Sequence, residues 1–162
     1  MCIRDRGHVK DIKNLTSLTK WVQSQFDPKL NWDDVKRIKD WWGGKLIIKG
    51  IMDPDDAKMA QKCGADALVV SNHGGRQLDG VNSSISMLPQ IKKAVSNIAV
   101  YFDGGISSGQ DILKAIALGA QGVMIGRSFV YGLSAKGKNG VINALEILNK
   151  ELDMTMALCG RR

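Results

Sequence analysis

The sequence predicts an α/β fold amounting to about half of a (β/α)8 barrel, on three observations. Four short apolar runs recur along the chain: Leu46–Gly50, Ala67–Asn72, Ala99–Asp103 and Gly122–Gly126. Their hydrophobicity is near-continuous rather than alternating, the pattern of strands buried on both faces of a parallel sheet. Helical patterns fill the gaps, giving the strand–helix alternation of α/β proteins. Lys49, His73, Asp103 and Arg127 then stand at the C-terminal ends of the four runs, where the strands of a barrel converge on one active face. The competing architecture is a doubly wound sheet. It would place G-x-G-x-x-G after the first strand, with an acid about 20 residues on, and that combination is missing. A complete barrel takes roughly 250 residues, and this chain has 162.

Taken in order, Met1–Arg6 fits no pattern that follows and is set aside as a non-native start. Trp21, Trp32, Trp41 and Trp42 all precede residue 43, in a lysine-rich region. Leu15, Leu18, Val22 and Phe26, like Val35, Ile38 and Trp42, recur at helical spacing, so core packing is expected to account for most of them. Tryptophan beside lysine also suits a membrane interface. After the first strand, Asp53-Pro54 caps and starts a helix that Gly64 ends. Ile85–Val95 forms the next, and Pro89 inside it predicts an irregular or later start. Ser108-Gly109-Gln110-Asp111 leads into a third helix closed by Gly119. Ser128 begins a longer helical region interrupted around 137–140. The chain also repeats itself: Cys63-Gly64-Ala65-Asp66-Ala67-Leu68-Val69-Val70 is echoed by Leu118-Gly119-Ala120-Gln121-Gly122-Val123-Met124-Ile125. In both, a helix stops at glycine and a strand begins within a few residues.

Composition narrows the function classes. Hydrophobic residues make up 44% and charged residues 24%, as in soluble globular domains. No apolar run approaches the roughly 20 residues that span a bilayer, and no secretory signal opens the chain. Cys2, Cys63 and Cys159 lie far apart without metal-ligand spacing, so no metal site and a reduced, cytoplasmic setting are expected. The net charge of +7 is spread along the chain, unaccompanied by a zinc finger, RNP sequence or basic helix. Nucleic acid is therefore not an expected partner. An anionic substrate or membrane surface remains compatible with that charge.

The most informative stretch is Ser71-Asn72-His73-Gly74-Gly75-Arg76-Gln77-Leu78-Asp79-Gly80. An imidazole and a guanidinium emerge from a strand end, separated by two glycines that let the backbone turn sharply. One accepts a proton near neutral pH, and the other grips a carboxylate in two-pronged fashion. That pairing suits proton abstraction from a small organic acid. Residues 71–79 resemble the active-site signature of the FMN-dependent α-hydroxy acid dehydrogenases and oxidases. Lys49-Gly50 before it, Asp103-Gly104-Gly105 after it and Gly126-Arg127 later fall in that family's order. The segment Phe26-Asp27-Pro28 through Trp32 to Trp42, then Ile48-Lys49-Gly50-Ile51, looks most like the bacterial respiratory L-lactate dehydrogenases.

The resemblance implies the C-terminal half of the barrel, strands 5–8 with their helices. Residues 1–7 would be the non-native start, 8–45 the end of the loop after strand 4 with its helices, and 46–162 the FMN-binding half-barrel. His73 would be the catalytic base taking a proton from the 2-hydroxy acid, and Arg76 would bind the substrate carboxylate. Lys49 would face the flavin ring, where a positive charge supports electron acceptance. Ser71, Asp103, Gly104, Gly105, Ser107, Gly126 and Arg127 would complete the FMN site, the glycine turns and Arg127 holding phosphate and Asp103 the ribityl chain. After Asp-Gly-Gly-Ile the family usually places an arginine. Ser107 stands there instead, which predicts weaker FMN retention.

The implied activity is FMN-dependent oxidation of a small L-2-hydroxy acid, L-lactate to pyruvate, with electrons passed to quinone. It would take place in the cytoplasm or peripherally on the cytoplasmic face of the inner membrane. A homo-oligomer is expected at full length. The aspartate that orients the histidine belongs to the other half of the barrel, so this half alone is expected to be inactive. The alternatives are a hydroxy-acid oxidase using oxygen and a non-catalytic half-barrel that binds flavin or phosphate.

Overall fold

A computed structural model describes residues 19–21, 24 and 29–161. The expected non-native start and the Leu15, Leu18, Val22 and Phe26 seam lie outside the described residues. Helix α1, Trp32–Trp42, opens on a capping box. Asn31 accepts the N–H groups of Asp33 and Asp34, and Asp34 reaches back to the Asn31 N–H. Gly43 ends the helix in the left-handed conformation. No residue of α1 is buried, which corrects the expectation of core packing. Trp41 is 77% and Trp42 67% exposed, and among the residues of α1 only Trp32 packs against the core. Polar ties hold this helix rather than an apolar seam. Lys39 Nζ reaches Asp66 Oδ2 at 2.6 Å, and the Cys63 thiol donates to the Trp32 carbonyl at 3.5 Å.

The rest alternates strand and helix. Strand β1 spans Ile47–Ile51 and helix α2 Pro54–Lys62, capped by Asp53 with proline in its first turn. Strand β2, Ala67–Val70, is wholly buried. It stops short of the apolar run because Ser71 and Asn72 take the next backbone N–H groups onto their own side chains. A single 3-10 turn, His73–Gly75, follows. Helix α3, Ser84–Ala94, starts earlier and more regularly than Pro89 predicted. Its Ser83 cap, and the burial of Met87, Leu88 and Ile91 against the sheet, outweigh the one hydrogen bond that proline removes. Strand β3 is Ala99–Asp103 and helix α4 Gly109–Ala117, with a Ser108/Asp111 capping box. Strand β4 is only Val123–Met124. Helix α5, Arg127–Leu158, is broken where Lys136 and Gly137 leave helical geometry, as the glycines at 137–140 predicted.

The strands form one parallel sheet in the order β1-β2-β3-β4, so every crossover joins neighbours. Register runs evenly from Ala67↔Ala99 to Val70↔Phe102, and is interrupted in the β1–β2 pair between Lys49 and Ile51. Leu68, Val70, Val100 and Phe102 meet Leu88 and Ile91 in the core. The sequence repeat has a physical basis here. Asp66 and Gln121 occupy equivalent positions just before β2 and β4. Asp66 accepts the N–H of Leu46, just before β1, and Gln121 that of Val100 in β3, each at 2.9 Å.

Candidate active site

The predicted residues gather at the C-terminal end of this sheet. Lys49 lies in the middle of β1 rather than at its end, yet its ammonium reaches forward. Lys49 Nζ lies 2.7 Å from Asp103 Oδ2 and donates to Ser71 Oγ at 3.1 Å. The buried Ser71 hydroxyl donates to the same Asp103 oxygen at 2.7 Å and accepts the His73 N–H at 3.2 Å. One hydroxyl just after β2 thus joins residues of β1 and β3 to the His73 turn. Burial pushes the Asp103 carboxyl up, but the hydrogen bonds from Lys49 and Ser71 and the nearby positive charge outweigh it. Its pKa lies below the ordinary aspartate value. The Asp103 carboxylate therefore stays charged, and the Lys49 side chain is 40% exposed.

His73 is the only non-glycine residue with positive φ among those described, at 55°. Such a conformation is uncommon for a residue bearing a Cβ, and it marks a place where surrounding structure overrules local preference. Asn72 Oδ1 accepts the Gly74 N–H at 3.0 Å, tightening the turn. Arg76 is exposed, and its Nε donates to the His73 carbonyl at 3.1 Å. Guanidinium and imidazole are thereby fixed to the same peptide. The nearby Asp79 carboxylate is engaged instead by the Gly80 N–H.

On the next strand end, Gly104 has φ 120°, and an added Cβ would come within 2.9 Å of Ser84 Oγ. Ser84 is buried and accepts the Asn72 N–H at 3.1 Å, so it clamps the His73 turn against the Gly104-Gly105 turn. Sequence reasoning missed Ser84. Its only signal was a second serine after the Ser83 cap. Beside it, a cavity of about 420 Å³ is lined by Asn72, Ser84, Gly104, Gly105, Asp111 and Lys114.

The Ser107 hydroxyl donates to Asp111 Oδ2 at 3.1 Å, and the N–H groups of Ser107 and Ser108 converge on the same oxygen at 3.1 and 3.0 Å. Desolvation raises the Asp111 pKa, but these donors more than offset it and hold the carboxyl below its ordinary value. Across the loop, Gly126 has open space where a Cβ would stand. Helix α5 begins at Arg127 without any side-chain cap. The Ser128 hydroxyl donates to the Ile106 carbonyl at 3.5 Å, joining this helix start to the β3–α4 loop.

These residues fit a flavin mononucleotide. An uncapped helix N-terminus carrying Arg127 beside open glycine turns suits a phosphate dianion. The partly exposed Lys49 and the acceptor Asp103 suit the polar edge of the ring and a hydroxylated chain. Among the described residues no cluster of His, Cys, Asp or Glu could hold a metal ion, and no helix is long and apolar enough to cross a membrane.

A four-stranded parallel sheet with its helices, carrying a histidine, an arginine, a lysine and open glycine turns toward the C-terminal end of its strands, is the architecture of part of a (β/α)8 barrel. The chain matches the FMN-dependent dehydrogenase family over residues 2–162 and belongs to it. It is 52% identical over 143 residues to the L-lactate dehydrogenase of Caulobacter vibrioides (strain NA1000 / CB15N), covering 88% of this chain and 37% of that relative. The L-lactate dehydrogenase of Pectobacterium atrosepticum gives the same identity and coverage. The chain thus spans under two fifths of the length of these curated relatives. Among solved structures, mandelate oxidase with benzoyl-formic acid superposes with a TM-score of 0.79 at 44% identity, over 82% of this chain and 40% of that one.

Proposed function

We propose that this chain is the FMN-binding, acid-handling part of an enzyme that oxidises a small L-2-hydroxy acid, L-lactate to pyruvate. The observation that carries this reading is the meeting of the His73 turn with the Lys49–Asp103 pair on one buried hydroxyl, Ser71. When bound, FMN supplies the acceptor for the two electrons released as the alcohol carbon becomes a ketone. Arg76 holds the substrate carboxylate, and its tie to the His73 carbonyl sets the distance between clamp and base. The His73 imidazole receives the proton given up by the substrate. Lys49, held in place by Asp103, sets its ammonium where negative charge accumulates. Gly104, Gly105, Gly126 and Arg127 hold the phosphate.

The bacterial L-lactate dehydrogenases support lactate as substrate. We assign quinone as acceptor on the resemblance of the Phe26–Trp42 region to respiratory members. Trp41 and Trp42, exposed side by side at the end of α1, support peripheral contact with a bilayer interface.

The test uses the full-length protein. L-lactate added anaerobically should bleach the flavin absorbance and yield pyruvate, and His73→Asn should slow bleaching by a factor of about 10² to 10⁴. Bound FMN that no small 2-hydroxy acid bleaches would overturn the reading in favour of a non-catalytic flavin module. Reoxidation faster with oxygen than with quinone would make the enzyme an oxidase.

A further inference from the structure

The break in the β1–β2 register falls on one residue. Lys49 pairs with Val69 and Ile51 with Val70, so Gly50 is an extra residue bulged out of the ladder. Its φ is 101°, in the region that side chains disfavour. A Cβ built on it would lie 2.7 Å from His73 Cε1 and 3.6 Å from both ring nitrogens. The imidazole edge therefore sits in the space that glycine leaves empty. From the other side, Ser71 Oγ holds the His73 N–H at 3.2 Å, with φ at 55°.

We propose that Gly50 is a positioning residue: the bulge seats the His73 imidazole in the orientation from which it receives the substrate proton. The same bulge follows directly on Lys49, whose ammonium reaches Asp103 and Ser71. Bulges commonly re-aim side chains beside active sites. The proposal rests on the hydroxy-acid reading above.

In the full-length protein, Gly50→Ala should lower kcat for L-lactate by about 10- to 100-fold, the penalty of a misplaced catalytic group. KM should change less than about twofold, because Arg76, not His73, carries ground-state binding. Gly64→Ala is the control. It imposes similar backbone strain at φ 80°, but its nearest neighbour is Lys39, at 3.9 Å, far from the base. It should lower the melting temperature without lowering kcat. In a His73→Asn background, Gly50→Ala should cause no further loss, since it acts through the ring it displaces. If Gly50→Ala fails to fold, Gly50→Asn, which tolerates positive φ better, should show the same kcat loss. Equal kcat for the Gly50 and Gly64 variants, or a Gly50 effect that persists without His73, would overturn the proposal alone. Unchanged turnover in His73→Asn would overturn the functional reading itself.

Discussion

Ser71 shows how much rests on a single hydroxyl. It donates to Asp103, accepts from Lys49 and from the His73 N–H, and is fully buried. Ser71→Ala would strip a donor from Asp103 and leave the His73 amide without its partner, at a cost of about 1–3 kcal/mol. A lower urea midpoint with an unchanged denaturant slope is the expected outcome. Ser107 is the contrasting residue. Its hydroxyl is turned onto Asp111, and it brings no charge to the phosphate rim. Ser107→Arg in the full-length protein should tighten FMN about tenfold, the worth of one charge-assisted hydrogen bond. Equilibrium dialysis showing an unchanged dissociation constant would refute that. The local motif exposed His73, Arg76 and Lys49 as candidates, because an imidazole, a guanidinium and a strand-borne ammonium are conspicuous in one dimension. Ser84 was invisible there, since its role depends on a contact with Gly104 across the strands.

At the scale of elements, caps and glycines were readable and packing was not. Asp53-Pro54, Ser108 with Asp111, and the break near Gly137 appear where the sequence places them, because caps and breakers act within one turn. The Val35, Ile38 and Trp42 spacing misled, because helical spacing shows that a seam exists without showing what covers it. Close helix approach is likewise a tertiary matter. A Cβ on Gly109 would collide with the backbone at Glu151 and Leu152, and the Gly109 N–H donates to Glu151 Oε2 at 2.8 Å. Gly109→Ala should therefore push α4 and α5 apart and cost about 1–3 kcal/mol, despite alanine's better helix propensity. A rise in melting temperature would show that the two helices are less tightly joined than this.

For the molecule as a whole, three carboxylates among the described residues are held below their ordinary pKa in the folded chain. Asp66 is lowered by hydrogen bonds from Lys39 and Lys45 and the Leu46 N–H. In Asp103 and Asp111, desolvation acts upward but donors prevail. With folded pKa values depressed, the unfolded chain binds protons first as pH falls. Stability from these groups is present above the ordinary aspartate range, near pH 4, and is lost below it. Urea midpoints should hold between pH 7 and 5 and fall progressively below about pH 4, and a flat profile into acid would contradict this.

The sequence by itself determined the parallel α/β alternation, the polar ends of its strands, the His-Gly-Gly-Arg turn and the likeness to FMN-dependent hydroxy acid enzymes. Those depend on period, capping and motif, which act over a few residues. Only the tertiary structure decided that α1 leaves its tryptophans exposed and that α3 absorbs Pro89. It alone paired Ser107 with Asp111 and set the His73 ring against Gly50. Each of those outcomes is a contact between segments distant in sequence or a competition between local preference and burial, and neither is written in neighbouring residues.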